Sequence, residues 1–479
     1  MVFILVLAFL LRFYPIFIDS SLGPDPFFHA RNSLEFIKNK KIPEYDKLSQ
    51  LGRFYSYKPL LHFSLAFFGI FSDIKSKEGL LLLGKFLSCM FGCLAVILAY
   101  LLLSKLNKHV ALFAAFIIAI MPLHLVRTSS YLRPDSFAML LVATALGFFF
   151  IKKDIKIPII FSIIIPWLHS PSSIIMLYIL GFILFGNLVR KKSVVKNKEK
   201  IFSFIILLLI TLLSFFAFLY AVPLKYYSLN NYFNPEMVLQ SGEMHYFKLI
   251  EFFMYLPFCW IFIVFAFYNL CKSKIEKNEI SEIYFLWFFA ALFLCLFSFR
   301  LSIHLSFPAA FIAAIGIKKI FERIKIGKDI ERKAAIALFL LLGILTIFLY
   351  PHAEKFPKRE TTYALNFLNR LDFGNVAAEW SYGHLITFFA EKPVLIDGYF
   401  EFSPNIKAKE NASYQILTSS NCEKVTEKLE EFNLKYIFVR NKNLRIYKNG
   451  ILENRCKFLN KIYENSNAVI FSYARGEFS

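Results

Sequence analysis

Two acidic residues flanked by proline are the first candidates for chemistry. Asp25 lies in the run Gly-Pro-Asp-Pro at 23–26, and Asp135 follows Arg133-Pro134. The two prolines beside Asp25 restrict its backbone and hold the carboxylate in place. In plainer terms Asp25 is a loop residue and Asp135 the cap of a helix. Two carboxylates far apart in sequence are nevertheless the right type for a hard divalent cation, which takes oxygen ligands. Two further acids, Glu236 and Glu243, sit in the tyrosine-rich segment 223–249, which also reads as an aromatic interfacial loop. Arg300 falls between two long apolar runs. An arginine there is costly unless it faces an anion or water, so it either binds a lipid phosphate or snorkels to head groups. The last candidate is the stretch 375–398, with Trp380, Ser381 and Tyr382 at its centre. It reads as strand, turn, amphipathic helix, strand. Gly383 supplies either a positive φ or a close backbone approach, and Trp380 and Tyr382 are equally well core aromatics.

The elements that must position these residues are membrane helices. The 479 residues are 57% hydrophobic, with a mean hydropathy of +0.54, and apolar runs recur at 2–18, 79–104, 109–125, 136–151, 157–169, 171–189, 201–222, 250–270, 282–299, 301–317 and 334–350. This pattern is a polytopic helical membrane protein with about eleven transmembrane helices. The runs at 157–169 and 171–189 also read as one span broken at His169-Ser-Pro171. The run 58–72 is too short to cross and reads as interfacial or re-entrant. The net charge of +21 is spread in short Lys/Arg clusters between the runs, the habit of cytoplasmic loops, and no basic face or reader motif points to nucleic acid. With 58–72 not spanning, those clusters share one side, the cytoplasm. Segments 19–78, 126–135, 223–249, the turn at Arg300 and 351–479 then emerge on the outer face. The chain divides into a transmembrane part, 1–350, and an extracytoplasmic α/β domain, 351–479. In the latter the pattern predicts helices near 361–371, 384–390 and 422–432, the last capped by Asn421, and strands at 375–380, 393–397 and 435–440. Cys89, Cys93, Cys259, Cys271 and Cys295 read as small hydrophobes. Cys422 and Cys456 are the two in the outward domain, where oxidising conditions permit a bond, and their spacing leaves bonded and free forms both open.

Taken together the motifs resemble the catalytic subunit of the oligosaccharyltransferases. Gly-Pro-Asp25-Pro-Phe-Phe-His-Ala-Arg31 resembles that family's first acidic motif, and Tyr57-Lys-Pro-Leu-Leu-His62 the segment after it. Arg127-Thr128 leading to Asp135 is similar to the second acidic motif, and Phe299-Arg300 to the family arginine. Trp380-Ser-Tyr-Gly-His-Leu-Ile-Thr387 is similar to the Trp-Trp-Asp-Tyr-Gly motif with its following helix, and Leu434–Val439 has the look of the tail domain. The likeness runs in order through nearly the whole chain.

The resemblance implies a C-type membrane glycosyltransferase fold and transfer of a glycan from a polyprenyl (pyro)phosphate carrier to an Asn side chain of a polypeptide acceptor. It implies that Asp25, Asp135 and Glu243 are catalytic and hold Mg²⁺ or Mn²⁺, with Glu236 as the other loop acid available for that role. Arg300 would bind the donor phosphate, and Trp380, Ser381 and Tyr382 would meet the acceptor. Two departures shape the expectation: Asp135 is followed by Ser136 and Phe137, and the Trp-Trp-Asp triplet reads Glu379-Trp380-Ser381. The chain is therefore read as a short, divergent member, an integral protein of the cell membrane with its site outside. A related C-type enzyme moving a single sugar from a polyprenyl monophosphate to lipid or protein is the alternative. A transporter or receptor with an external domain is the non-enzyme reading, and the absence of internal repeats, with charges gathered at one membrane face, counts against it.

Overall fold

The protein was studied as a computed structural model. It describes residues 1–17, 23–189, 198–221, 259–271, 279–324, 357–399, 403–440 and 458–474, with gaps of one or two positions inside them, and a few isolated residues including Leu256, Leu342 and Cys456.

The first two thirds are a bundle of apolar helices. Helix α1 (Val2–Phe17) leads to α2 (Asp25–Asn39). Pro26 occupies the first turn of α2, where its missing N–H is no loss, and Asp25 meets the positive end of the helix dipole. A two-stranded hairpin, β1 (Tyr45–Asp46) with β2 (Arg53–Phe54), precedes α3 (Leu60–Phe71). At twelve residues α3 is about 18 Å long, well short of a bilayer's hydrocarbon core, as the sequence reading expects. Helices α4 (Lys77–Ser104), α5 (Lys108–Ile120), α6 (Pro122–Thr128), α7 (Pro134–Gly147), α8 (Lys156–Leu168), α9 (Ser170–Val189), α10 (Lys198–Ala221), α11 (Cys259–Cys271), α12 (Glu279–Phe297) and α13 (Ser306–Ile324) follow.

Among the described residues, three helical stretches are long and apolar enough to cross a membrane, or four with the α5–α6 pair taken as one span; seven shorter apolar helices accompany them. The expectation of eleven spans thus holds in its coarser form, a bundle of apolar helices, and most of the run 334–350 lies outside the described residues. Phe3, Phe71, Leu213 and Ile261 stand outward at 51–85% exposure, an apolar exterior suited to lipid.

Helices α5 and α6 meet at a 58° bend before Pro122, which cannot continue the α5 hydrogen-bond ladder. The bend is filled by Arg12 of α1, fully buried. Its Nη1 donates to the carbonyls of Ala8 (3.1 Å) and Ala119 (3.0 Å), Nη2 to the carbonyl of Ile118 (3.1 Å) and to His124 Nδ1 (2.7 Å), and Nε to Thr128 Oγ1 (3.1 Å). The C-terminal carbonyls of α5 carry the negative end of its dipole, so they meet the guanidinium's charge as well as its donors. Gly92 of α4 makes the room: a Cβ there would lie 2.4 Å from Arg12 Nε. The packing fixes α6, and with it the start of the Arg127–Asp135 stretch.

The C-terminal part has a four-stranded mixed sheet of order β3-β4-β6-β5, with β3 (Asn375–Ala377) parallel to β4 (Leu434–Arg440) and antiparallel pairing among β4, β6 (Ala468–Tyr473) and β5 (Leu459–Glu464). Helix α14 (Arg359–Arg370) buries Ala364, Leu365 and Leu368 at helical spacing. Helix α16 (Cys422–Glu431) is capped by Asn421, whose side chain accepts from the Glu423 and Lys424 amides.

Three expectations change. The strand at 375–380 is cut to three residues, because the chain turns at Trp380–Tyr382. The strand at 393–397 contributes only a bridge, Val376 to Val394. A helix the pattern did not announce, α15 (Ile406–Thr418), fills the gap, its apolar face interrupted by Lys409 and Ser413. Packing runs across the two parts: Ala364, Leu385 and Phe388 belong to the same core cluster as the membrane helices, with Phe388 edge-on to Phe27 at 5.1 Å.

Cys422 and Cys456 are joined, their Cα atoms 5.5 Å apart. Cys456→Ser should lower stability by about 2–4 kcal/mol. Thermal unfolding in detergent checks this, and an unchanged midpoint would show that the bond contributes nothing to holding the segment.

Candidate active site

The two proline-flanked acids sit at two helix N-termini bridged by Arg133. Asp25 opens α2 and Asp135 lies in the first turn of α7. The extended residue before α7, Arg133, reaches across, with Nε 3.3 Å from Asp25 Oδ2. Asp135 Oδ2 is 3.4 Å from Arg127 Nη1, and its Oδ1 accepts from the Ser136 amide at 3.0 Å. Arg127, Arg133 and Asp135 are buried, while Asp25 keeps 16% of its side chain exposed. Two carboxylates and two guanidiniums therefore form one low-dielectric constellation, with two positive helix ends behind the acids.

Behind Asp25 stands the C-terminal layer. Gly383 has a helical φ of −53°, so its role is the close approach: a Cβ would lie 2.5 Å from the Ile396 carbonyl and from Asp397 Cβ. That approach sets His384 against Asp397, with Nδ1 3.7 Å from Oδ2. A Cβ on Gly398 would sit 3.1 Å from His384 Nε2 and 3.7 Å from Asp25 Oδ1. Glycine thus leaves a small gap between imidazole and carboxylate. Burial pushes the His384 pKa below its ordinary value, against the opposing pull of Asp397 and Asp25. Burial alone would raise Asp397, but Arg53, His384 and the Tyr399 amide outweigh it and hold the carboxyl below the usual range.

Asp397 is also the joint between the outer loop and the C-terminal part. Its Oδ1 accepts from Gln50 Nε2 (2.9 Å), Arg53 Nη1 (3.1 Å) and the Tyr399 amide (3.0 Å). The main chain adds two bonds, Leu51 N to Val394 O (2.8 Å) and Val394 N to Leu48 O (2.9 Å). Lys409 donates to the Gln50 carbonyl, and burial brings its pKa down to about 8.

Of the residues singled out in the sequence, Asp25 is bound by Arg133, which stands two positions before Asp135. Trp380, Ser381 and Tyr382 form the turn that leads through Gly383 into His384. Ser381 Oγ donates to Glu379 Oε1 at 3.0 Å, which returns a carboxylate to the turn two positions before the place where the family triplet has its Asp. Tyr382 is buried against Phe438, ring centroids 5.5 Å apart, the packing role weighed for it above. The main chain of Arg300 lies in the 3-10 turn Phe299–Leu305, which packs on α6 and α7; its side chain, and Glu236 and Glu243 entirely, lie outside the described residues. Sequence reasoning passed over Arg53, His384, Asp397, Tyr399 and the His29–His62 pair, although His29, His62, His384 and Asp397 all fall inside stretches it had marked.

The two carboxylates offer the oxygen donors that a hard divalent cation takes. Each gives one oxygen to an arginine through a single long contact, and Asp25 Oδ1 faces the Gly398 gap. Among the described residues no group of three or more His, Cys, Asp or Glu could hold a metal, so a site at Asp25 and Asp135 needs a further ligand from elsewhere in the chain.

No protein-family model and no curated protein matches the chain. Solved structures do. The oligosaccharyltransferase AglB from Archaeoglobus fulgidus, in complex with an inhibitory peptide and a dolichol-phosphate, is 16% identical with a TM-score of 0.71, over 100% of this chain and 74% of that one. The same enzyme tethered with an acceptor peptide containing the NVT sequon gives 17% and 0.70 over the same shares. Its complex with Zn and sulfate gives 15% and 0.69, over 98% and 72%. ArnT from Cupriavidus metallidurans, bound to undecaprenyl phosphate, is 11% identical with a TM-score of 0.64, over 99% of this chain and 98% of that one. The chain has the fold that these membrane proteins share.

Proposed function

We propose that this protein, having that fold, is a glycosyltransferase that moves a glycan from a polyprenyl (pyro)phosphate carrier to an acceptor at the outer face of the cell membrane, the acceptor being Asn of a polypeptide. The observation that carries the reading is the pairing of Asp25 with Arg133 and of Asp135 with Arg127 at two helix N-termini that Arg133 bridges. It lies in a chain whose fold is shared by proteins solved with dolichol-phosphate and with undecaprenyl phosphate. Asp25 and Asp135, completed by Glu243 or Glu236, would hold Mg²⁺ or Mn²⁺. Such an ion, when bound, stabilises the charge on a leaving phosphate. The chain's own residues do the rest. Arg133 and Arg127 orient the two carboxylates, Arg300 pairs with the carrier phosphate, and the Glu379–Tyr382 turn presents the acceptor beside Asp25.

Transfer of a single sugar from a polyprenyl monophosphate to a lipid or protein is the second reading. The near end-to-end match with ArnT and the missing Asp in the acceptor triplet favour it. Reconstitution with lipid-linked glycan, offering an Asn-x-Thr peptide and a lipid acceptor together, followed by mass spectrometry of both, decides between them. No labelled product of either kind would end the enzyme reading. The side of the membrane is testable separately: a cysteine at exposed Tyr414 should react with an impermeant thiol reagent from outside, and one at exposed Lys105 should not. Reversed labelling would put the site on the wrong face for this function.

Acceptor choice supplies a further expectation. With Ser381 in place of Asp, the hydroxyl of an Asn-x-Ser/Thr acceptor lacks its family partner unless Glu379 serves. Losing such a bond in a desolvated site removes about 1–3 kcal/mol, or roughly ten- to a hundred-fold in discrimination. Ser381→Asp should therefore sharpen the preference for Ser or Thr at that peptide position, and Glu379→Ala should weaken what preference the wild type has. Identical selectivity in all three proteins, with activity intact, would remove the turn from acceptor recognition.

A further inference from the structure

A row of four hydrogen-bonded side chains runs beside the candidate site, with Tyr57 also hydrogen-bonded to Tyr399 at its near end. Tyr399 Oη lies 3.3 Å from His29 Nε2. His29 Nδ1 lies 2.9 Å from His62 Nε2. His62 Nδ1 meets Tyr55 Oη. Four elements meet here: α2, the loop after β2 with the α3 that follows it, and, 370 positions from His29, the strap after Gly398. His29, His62 and Tyr399 are buried, and Tyr55 at the far end is half-buried.

Every member can both donate and accept. A neutral imidazole has one N–H and one bare nitrogen, and a phenol has one O–H and lone pairs. The row can thus be drawn with all its donors pointing one way or all pointing the other, and moving one proton along each bond converts one drawing into the other. The charged groups beside it are fixed elsewhere. Arg31 is forked on Asp46 at 3.0 and 2.6 Å, and Arg53 is held by Asp397. Burial pushes both phenols well above their ordinary pKa, and burial with Arg31 nearby pushes His62 down to about 3. The row is neutral, and a proton crosses it only if all its members shift together.

We infer that the row Tyr399–His29–His62–Tyr55 is a proton relay that carries the acceptor's proton away from the carboxylate centre. This rests on the transfer function proposed above. In that reaction a bond forms between the anomeric carbon and the acceptor nitrogen or oxygen. The bond from that carbon to the carrier phosphate breaks, its electron pair leaving with the phosphate, and the acceptor gives up one proton. Asp25 and Asp135 are each engaged by an arginine, Arg133 and Arg127. Tyr399 is locked at the near end: its amide is bound by Asp397 and its carbonyl by Gln50 and Arg53. Its neighbour Gly398 opens onto Asp25. A proton passed to Tyr399 Oη displaces its own proton to His29 Nε2, the Nδ1 proton of His29 to His62 Nε2, and that of His62 Nδ1 to Tyr55, which releases one at the rim.

Tyr55→Phe keeps the ring and removes the outlet. The expected result is a fall in kcat of roughly ten- to a hundred-fold, with KM for donor and acceptor unchanged. In mixtures of light and heavy water the wild-type rate should follow a curved proton inventory, as several protons move together, and the variant a straight one. A merely structural Tyr55 would not change that shape. Wild-type transfer with a straight inventory and full activity in Tyr55→Phe overturns the relay and leaves the proposed function standing. Nitrogen-15 histidine NMR of the unreacted protein is independent of turnover: it should show His29 and His62 each with one protonated and one bare nitrogen at neutral pH. A doubly protonated ring at either position blocks the row and overturns the inference. A wild type that transfers nothing to any acceptor ends the function, and the relay with it.

Discussion

Asp25→Asn protein, supplied with lipid-linked glycan and acceptor, should transfer at least about a thousand-fold more slowly than wild type. Asparagine is the informative replacement. It keeps the size and a hydrogen-bond acceptor for Arg133, so the buried guanidinium is not stranded, while the negative charge disappears. Asp135→Asn should behave alike, because Arg127 and the Ser136 amide keep an oxygen partner. Binding of the donor lipid should stay near wild type in both, since the lost charge acts mainly on the leaving group. Asp73→Asn, at a carboxylate 83% exposed and paired with Lys75, serves as the control. Wild-type rates in both site variants would remove Asp25 and Asp135 from the chemistry and reduce their ion pairs to architecture.

The second large effect is on stability. Arg53→Met should destabilise the protein by about 3–5 kcal/mol, because it leaves the Asp397 carboxylate charged and buried with one partner gone. Replacing both residues, Arg53→Met with Asp397→Leu, should recover part of that loss, since the stranded Asp397 charge is removed. Unfolding in detergent measures both. A change below about 1 kcal/mol for Arg53→Met, the size of an exposed pair, would mean that the loop docks by its main-chain bonds alone. The pH dependence follows from the same group. The folded pKa of Asp397 is depressed, so its contribution is complete above the ordinary carboxylate range, about pH 4. It is lost as the pH falls from there towards the folded value.

The sequence carried the acids and the general architecture. Asp25 and Asp135 were legible because proline beside a carboxylate at the edge of an apolar run is an uncommon local arrangement, and α3 was legible from its length. Gly383 was legible as a place of constraint, although only the structure separates close approach from positive φ. What stayed hidden depends on partners far along the chain. Arg12 is one basic residue in an apolar run, and its partners at Ile118, Ala119, His124 and Thr128 lie more than a hundred positions away. His29 and His62 look like ordinary helix residues until Tyr55 and Tyr399 are brought to them. The α15 helix was missed because Lys409 and Ser413 stand on its buried face, satisfied by Gln50 and Ala378, where the pattern expects apolar side chains. Lys85, buried within α4, has no account from the pattern.

Arg12 also bears on how the protein is made. During synthesis α1 reaches the membrane long before α5 and α6 emerge from the ribosome. Until they arrive the guanidinium has Ala8 as its one partner among those described for it. An unmatched arginine in an apolar helix placed in lipid is penalised, by up to about 2.5–3.5 kcal/mol at mid-membrane on insertion scales. The nascent first helix is therefore poorly settled in lipid until the bent pair docks and takes up the charge. A ribosome stalled after Ser104 should display an α1 that is readily extracted from the membrane, and one stalled well past Asp135 an α1 that is not.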